Sequence, residues 1–193
     1  MTAMAEVPTA DTAEMRTGRT VTFGTFAIQR TFKMAPKAVF DAWASRTDKY
    51  AWFADVGGFL KPIAEYTLDF RVGGRERLDG ILEESGHRFE YDLTYGDIVD
   101  GERIVATYDV LIDGHRISVS VMTVEFNPIA GSAGMGGGSS ANGSSSADGA
   151  PEGGTHLVLT EQGVFFDGLD TNTERIAGAT AMLDNFEAFL KAK

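Results

Sequence analysis

The chain has 193 residues, a formal net charge of −11 and no cysteine. This length is enough for one well-buried core and short for two, and the lack of cysteine excludes disulfides, thiolate metal sites and a cysteine nucleophile. Because the negative charge disfavours polyphosphate backbones and anionic headgroups, we expect neither nucleic acid nor a membrane among the partners.

Residues 1–20 are small and polar and contain no apolar run of the length that a secretory signal needs. We expect a flexible N-terminal tail here, followed by a single domain over residues 21–193. No run in the sequence approaches the eighteen or so apolar residues of a membrane span. The expected compartment is therefore the cytoplasm.

The first predicted strand alternates after Gly24 and carries Phe26, Ile28, Arg30 and Phe32. The period then changes to that of a helix over residues 35–45, where Pro36 suits the first turn. A second short helix is predicted over residues 48–55, DKYAWFAD. Two short helices thus separate the first strand from the rest of the chain.

Alternation resumes near Glu65 and predicts antiparallel strands. One strand is predicted to carry Tyr66, Leu68, Phe70 and Val72 on one face, and another Phe89, Tyr91, Leu93 and Tyr95. Asp113-Gly114 separates residues 103–112 from 116–126 and is a strong hairpin signal. With residues 155–163 this gives about six or seven strands.

Residues 131–154 are rich in Gly and Ser and lie between two predicted strands. A linker between domains is disfavoured, because the roughly forty residues that follow could not bury a core alone. We therefore expect a disordered loop inside one domain, since ordering it would cost backbone entropy without apolar contacts to offset the cost. A lid over a site is the less favoured alternative, because the segment has few chemical groups.

The chain closes with a long predicted helix, in which Thr171 and Glu174 match a capping box. Its apolar stripe consists of Ile176, Ala179, Met182, Leu183, Phe186, Phe189 and Leu190. This stripe needs to be buried, and the sheet is the sizeable apolar surface available. The sequence therefore predicts an α+β fold in which a curved antiparallel sheet wraps around a long C-terminal helix.

This order of elements resembles the helix-grip fold of the START-like, or SRPBCC, superfamily. The segments that carry the resemblance are IQRTFKMAPKAVFDAW, AWFADVGG, YTLDFRVGGRERLDG, GDIVDGERIVATYDV and GTHLVLTEQGVF. In this order they cover most of residues 26–193 and are similar to the branch related to the activator of the heat-shock-protein-90 ATPase.

The resemblance implies an apolar cavity between the long helix and the sheet. Members of the superfamily bind lipids, hormones or polyketides, cyclise or hydrolyse bound compounds, or regulate chaperones, and the fold does not choose among these functions. Relatives commonly have Gly-Trp in the last helix where this chain has Gly178-Ala179. We therefore expect a cavity that is enlarged or reshaped relative to theirs.

The candidate cavity-lining residues are mostly aromatic, and tyrosine hydroxyls among them supply the orienting polar groups. They are Trp43, Trp52, Phe53, Phe70, Tyr91, Tyr95, Tyr108, Phe165, Met182 and Phe186. The alternative for each is an ordinary place in the core. Glu90 and Asp92 are expected to face water, and the alternative is that they point into the cavity with Arg88 and act on a polar ligand.

No catalytic residue, metal or cofactor is expected. The three histidines, His87, His115 and His156, lack the spacing of a zinc site and are better explained as surface residues. The favoured function is binding of a small hydrophobic molecule. The alternatives are chaperone regulation by protein contact, which rests on the resemblance, and a polyketide cyclase- or hydrolase-like enzyme with a raised-pKa carboxylate in its pocket. Both a monomer and a homodimer remain open.

Overall fold

The computed structural model describes residues 19–55, 59–130 and 153–193. The predicted tail (1–20) and Gly/Ser loop (131–154) lie almost wholly outside the described residues. The strands of the described part are β1 Val21–Phe32, β2 Leu60–Pro62, β3 Thr67–Leu68, β4 Arg75–Leu82, β5 Arg88–Val99, β6 Arg103–Ile112, β7 His115–Ile129 and β8 Gly154–Phe166. The helices are α1 Pro36–Ala44, α2 Arg46–Lys49 and α3 Asn172–Ala192, and one π-helical turn, Tyr50–Ala54, follows α2.

The strands form one antiparallel sheet in the order β1-β8-β7-β6-β5-β4-β2, with β3 also paired to β4. After β1 the chain leaves the sheet for the short helices and returns at the opposite edge, so the first strand pairs with the last. The alternating side chains of β5 to β8 place one apolar face towards α3. The helix-grip fold predicted from the sequence is confirmed.

Helix α3 covers the concave face of the sheet with its predicted apolar stripe. Leu183 and Phe186 are fully buried. The Phe186 ring lies 5.5 Å from the ring of Phe32 and 4.7 Å from that of Trp52, measured between ring centroids. The helix begins at the predicted cap, where Thr171 Oγ1 accepts a hydrogen bond from the Glu174 backbone N–H at 3.2 Å. The last helix therefore completes the core of the domain.

The strand predicted over residues 66–72 was wrong in its extent. Only Thr67–Leu68 pair with β4, and Val72 is 56% exposed. The chain turns instead, because the Asp69 N–H donates to the Arg75 carbonyl at 2.8 Å. A Cβ at Gly74 would lie 2.1 Å from the Asp69 carbonyl oxygen, so this close approach requires glycine.

The π-helical turn replaces most of the predicted second helix, and α2 begins at Arg46, two residues earlier than expected. Ser45 caps α2 by accepting the Asp48 N–H at 3.2 Å. In the π-helical turn, Trp52 Nε1 donates to the Ala42 carbonyl at 2.9 Å. This contact fixes the turn against α1 and brings two adjacent aromatic residues to the interior.

A substitution at Gly178 tests how α3 contributes to the stability of the domain. Gly178 lies in the interior of α3 and is exposed to solvent, and a Cβ built there has no neighbour within 4 Å. Because glycine in a helix interior costs about 0.8–1.0 kcal/mol relative to alanine, Gly178→Ala is expected to raise the free energy of unfolding by about that amount. Urea unfolding measures the gain, and a loss of stability would contradict the described packing of α3.

Candidate functional site

A cavity of about 480 Å³ lies between α3 and the concave face of the sheet. Most of its wall is apolar and comes from β4 to β7, the π-helical turn and the middle of α3. The apolar and tyrosine side chains of the wall are Trp52, Phe53, Phe59, Leu60, Leu78, Leu82, Phe89, Tyr91, Tyr108, Val110, Ile112, Ile117, Met122, Ala179, Ala181 and Met182.

Half of the ten candidates from the sequence line this cavity, namely Trp52, Phe53, Tyr91, Tyr108 and Met182. The other five pack beside it in the core or at its edges, namely Trp43, Phe70, Tyr95, Phe165 and Phe186. Phe70, for example, lies 5.0 Å from Tyr95 and 5.7 Å from Phe40 between ring centroids. The periodicity identified the face of each strand and helix, and the cavity occupies only part of that face.

Tyr91 and Tyr108 stand next to each other on the wall, with ring centroids 5.1 Å apart. The Tyr91 ring also meets Phe53 at 5.1 Å. Burial raises the pKa of both tyrosine hydroxyls well above the ordinary value. Both hydroxyls therefore stay protonated at neutral pH and are able to donate a hydrogen bond.

Three small residues in the middle of α3 contribute to the cavity wall. Ala179 is only 9% exposed and borders the cavity together with Gly178 and Ala181. An aromatic side chain at position 179 would occupy space that is open in this protein. Gly178-Ala179, which stands where relatives commonly have Gly-Trp, thus borders the open space of the cavity.

The cavity has one polar end, built where the loop after β8 enters α3. Asp170, Glu174 and Arg175 all line it. The Arg175 guanidinium donates to the Asp170 carboxylate and to the Ser118 hydroxyl, and its Nη1 lies 3.4 Å from the Tyr108 hydroxyl. The polar end is therefore an organised network, and the one other polar side chain of the described wall, apart from the tyrosines, is Asn185 on α3.

Glu161 lies immediately behind this network and is 2% exposed. Its Oε1 accepts a hydrogen bond from Ser120 at 2.7 Å and lies 3.8 Å from Arg175 Nε. Burial raises the pKa of Glu161, while hydrogen bonds and the Arg175 charge act in the opposite direction. This carboxyl group does not itself line the cavity.

Sequence reasoning missed the polar end, although one signal was present. Glu161 falls at an inward position of β8, between the buried residues Leu159 and Phe165. A charged residue in the buried phase of a strand is rare unless it is paired. The partner, Arg175, is fourteen positions further along the chain in another element, and a single sequence gives no indication of that pairing.

A second buried ionic group lies beyond the wall, under the π-helical turn. Lys49 and Glu76 are 3% and 0% exposed, and Lys49 Nζ lies 2.6 Å from Glu76 Oε2. The hydroxyls of Tyr66 and Tyr95 donate to the same carboxylate at 2.7 and 2.5 Å. Lys49 Nζ also lies 5.2 Å from the Trp43 ring centroid, within cation–π range. This group ties the π-helical turn to the sheet.

The alternative placement of Glu90 and Asp92 in the cavity is wrong. Asp92 accepts hydrogen bonds from the exposed side chains Arg75 and Arg77, and Arg88 pairs with Asp79. Partial burial alone would raise the pKa of Asp92, but the two arginines outweigh it and lower the pKa. These charges form a network on the outer face of the sheet.

The histidines lie apart from the cavity wall. His87 Nδ1 lies 2.6 Å from Asp113 Oδ2, and His156 Nε2 lies 2.9 Å from Gln29 Oε1. Within the described ranges, no group of three or more potential ligands has the arrangement of a metal site. In the same ranges, no helix is long and apolar enough to span a bilayer.

The fold and the cavity define a domain of the helix-grip class. Residues 33–135 match the family described as "Activator of Hsp90 ATPase homolog 1-like protein", and the chain belongs to this family. The family expected from the sequence is therefore confirmed. A comparison with curated proteins gave no match.

Several solved structures are similar to this one. A protein from Rhizobium leguminosarum is 35% identical, with 92% of this chain and 100% of that chain covered and a TM-score of 0.74. The Mll3558 protein from Rhizobium loti is 33% identical, with coverages of 88% and 99% and a TM-score of 0.67. PFC0360w, an HSP90 activator from Plasmodium falciparum, is 18% identical, with coverages of 86% and 96% and a TM-score of 0.53. This last likeness shows the shared fold.

Proposed function

We propose that the protein binds a small, largely apolar molecule in the cavity between α3 and the sheet. The observation that carries the proposal is the cavity itself, about 480 Å³ in volume and walled mainly by aromatic and aliphatic side chains, with the charged groups at one end. Small-molecule sites typically have about 300–1,000 Å³ and this distribution of groups. The apolar wall supplies affinity, and the polar end orients the ligand.

The polar groups favour binding over catalysis. Arg175 and Asp170 are engaged with each other, the Glu174 carboxylate accepts a hydrogen bond from the Thr171 hydroxyl, and Glu161 does not line the cavity. A general acid or base has to come within hydrogen-bond reach of a substrate proton, about 2.6–3.2 Å. The raised pKa of Glu161 is the feature that keeps an acid–base role as an alternative.

Unfolding temperature, measured against a panel of lipids, aromatic amines, aromatic acids and polyketide-like compounds, tests the proposal. A ligand at a hundred times its dissociation constant adds about 2.7 kcal/mol of stability, which corresponds to roughly 5–11 °C at ~2–4 °C per kcal/mol. We expect a shift of this size for at least one class. Cooperative unfolding at an unchanged temperature with every compound would contradict the proposal.

Regulation of a chaperone ATPase by direct contact is the second candidate. It is favoured by the family to which the chain belongs and by the fold shared with the Plasmodium activator. Its test is a binding assay and an ATPase assay with the chaperone of the same cell. Saturable binding with an altered ATPase rate would support it, and the absence of both would remove it.

A further inference from the structure

The charged side chains of the described cavity wall are all engaged by other groups of the protein. Arg175 donates to the Asp170 carboxylate and to the Ser118 hydroxyl. The Glu174 carboxylate accepts a hydrogen bond from the Thr171 hydroxyl at 2.9 Å. A charged ligand group buried here would lose hydration without finding a free partner of opposite sign, which is costly.

The surroundings of the cavity favour neither sign of charge. Arg175 lies at the same end as the two carboxylates, and its guanidinium carbon is 5.7 Å from the Tyr108 ring centroid. Behind the wall, Lys49 Nζ lies 5.9 Å from the ring centroid of Trp52 and 5.6 Å from that of Phe53. These aromatic rings thus already interact with the protein's own cations. A neutral ligand is the class that this distribution of charge does not penalise.

Tyr91 differs from the other buried tyrosines of the described chain. The hydroxyls of Tyr66, Tyr95 and Tyr108 each have a carboxylate or guanidinium partner. Tyr91 is 8% exposed, and its hydroxyl has no hydrogen-bond partner among the described residues. Buried polar groups are paired in the large majority of cases, because a buried donor without an acceptor is unfavourable. This hydroxyl therefore requires a partner from elsewhere.

The Tyr91 hydroxyl is accessible from the cavity. Within the described part of the chain, the side-chain polar atoms that are fully enclosed and unpaired are Trp43 Nε1 and Asn172 Oδ1, and the Tyr91 hydroxyl is not one of them. The Tyr91 ring lines the cavity and packs against Phe53. Burial raises the pKa of Tyr91 well above its ordinary value, so the hydroxyl keeps its proton at neutral pH. A hydrogen-bond donor without an acceptor thus borders the open space.

Taking the proposed small-molecule site as given, we infer that its ligand is a neutral, hydrophobic molecule with an acceptor oxygen, such as that of a ketone or ester, which accepts a hydrogen bond from the Tyr91 hydroxyl. Tyr91 stands beside Tyr108, whose hydroxyl meets the charged network. The acceptor oxygen therefore lies near the charged end of the cavity. The apolar body extends along the aliphatic wall, past Met122 and Met182.

Binding of two matched probes to the wild type and to Tyr91→Phe tests the inference. 1-Acetylnaphthalene carries a carbonyl oxygen where 1-isopropenylnaphthalene carries a methylene group, and the two molecules have nearly the same shape. Because a neutral hydrogen bond contributes about three- to tenfold in affinity, we expect the ketone to bind Tyr91→Phe more weakly by that factor. The hydrocarbon leaves the hydroxyl unpaired and should bind the variant at least as tightly as the wild type. Fluorescence titration at pH 7 measures the four dissociation constants.

Charged probes on the same skeleton test the neutral class. Naphthalene-1-carboxylate and naphthalen-1-ylmethylammonium each present an ionised group to a wall whose charges are already matched. We expect each ion to bind the wild type about tenfold or more weakly than the ketone does, because its hydration is lost without a new partner. Binding of either ion as tightly as the ketone, or more tightly, would overturn the inference.

Two controls separate a contact with the ligand from a structural role of the hydroxyl. Tyr50→Phe removes the same group from an exposed residue that does not line the cavity, and it should change neither affinity. Without ligand, Tyr91→Phe should unfold at the temperature of the wild type or slightly above it. Tyr95→Phe should unfold at a lower temperature, because it loses the hydrogen bond to Glu76. An equal loss of stability in the variants at positions 91 and 95 would reveal a partner for Tyr91 within the protein and overturn the inference.

The outcomes separate the inference from the proposed function. Equal affinity of the ketone for the wild type and Tyr91→Phe would overturn the inference and leave a small-molecule site in place. No binding of any probe, together with no shift across the thermal panel, would overturn both.

Discussion

Replacing Lys49 with methionine is expected to lower the free energy of unfolding by about 3–5 kcal/mol, as removal of one partner from a buried ion pair does. The variant leaves the fully buried Glu76 carboxylate with two tyrosine donors and no cation. Methionine keeps the length and apolar character of the side chain, so the loss reports the missing charge and not a cavity. Urea unfolding with a fixed slope against denaturant measures it.

Lys37→Met is the matched control. Lys37 is 55% exposed and pairs with Asp41 and Asp100 on the surface, so its replacement should leave the unfolding midpoint close to that of the wild type. Lys49→Met combined with Glu76→Gln should recover part of the loss, because no unpaired charge then remains buried. If Lys49→Met were no more harmful than Lys37→Met, the buried ionic group described under the π-helical turn would be wrong.

Replacing Ala179 with tryptophan is expected to abolish the ligand-induced rise in unfolding temperature. Ala179 is buried on the α3 side of the cavity wall, and an indole ring there would fill the volume that a ligand needs. For a ligand that stabilises the wild type at a hundred times its dissociation constant, loss of the shift means an affinity at least about a hundredfold lower. The variant itself should remain folded, since the added ring enters open space.

Ala177→Trp is the control for this experiment. It introduces the same ring on the same helix, two positions earlier, at an exposed residue that does not line the cavity. We expect this variant to bind as the wild type does. Binding that survives in Ala179→Trp, or is lost in both variants alike, would place the ligand outside the cavity.

Much of the fold follows from local patterns that the sequence displays directly. The alternation in β5 buries Tyr91, Leu93 and Tyr95, and the stripe of α3 buries Leu183 and Phe186, as predicted. These patterns are informative because each element buries one face against a single core. The failed strand at residues 66–72 shows the limit of the same reasoning. Alternation alone does not reveal the turn imposed by the Asp69 and Gly74 backbone contacts.

Sequence reasoning identified only part of the cavity wall. Aromatic residues on the correct faces were identified, but Trp43 and Phe186 pack against each other and fill the core, whereas Tyr91 and Tyr108 border open space. Which residues meet a cavity depends on the small neighbours across it, such as Ala179. The polar end depends on β7, β8 and α3 meeting at one point, which is a property of the tertiary structure.

Methyl NMR spectra of protein labelled at the methionine methyl groups test whether the ligand lies between α3 and the sheet. Met122 and Met182 line the cavity, whereas Met34 packs against the core elsewhere. On titration with a compound that raises the unfolding temperature, we expect the Met122 and Met182 signals to shift together in a saturable way and the Met34 signal to stay in place. Saturable binding that leaves the Met122 and Met182 signals unmoved would contradict a ligand site between α3 and the sheet.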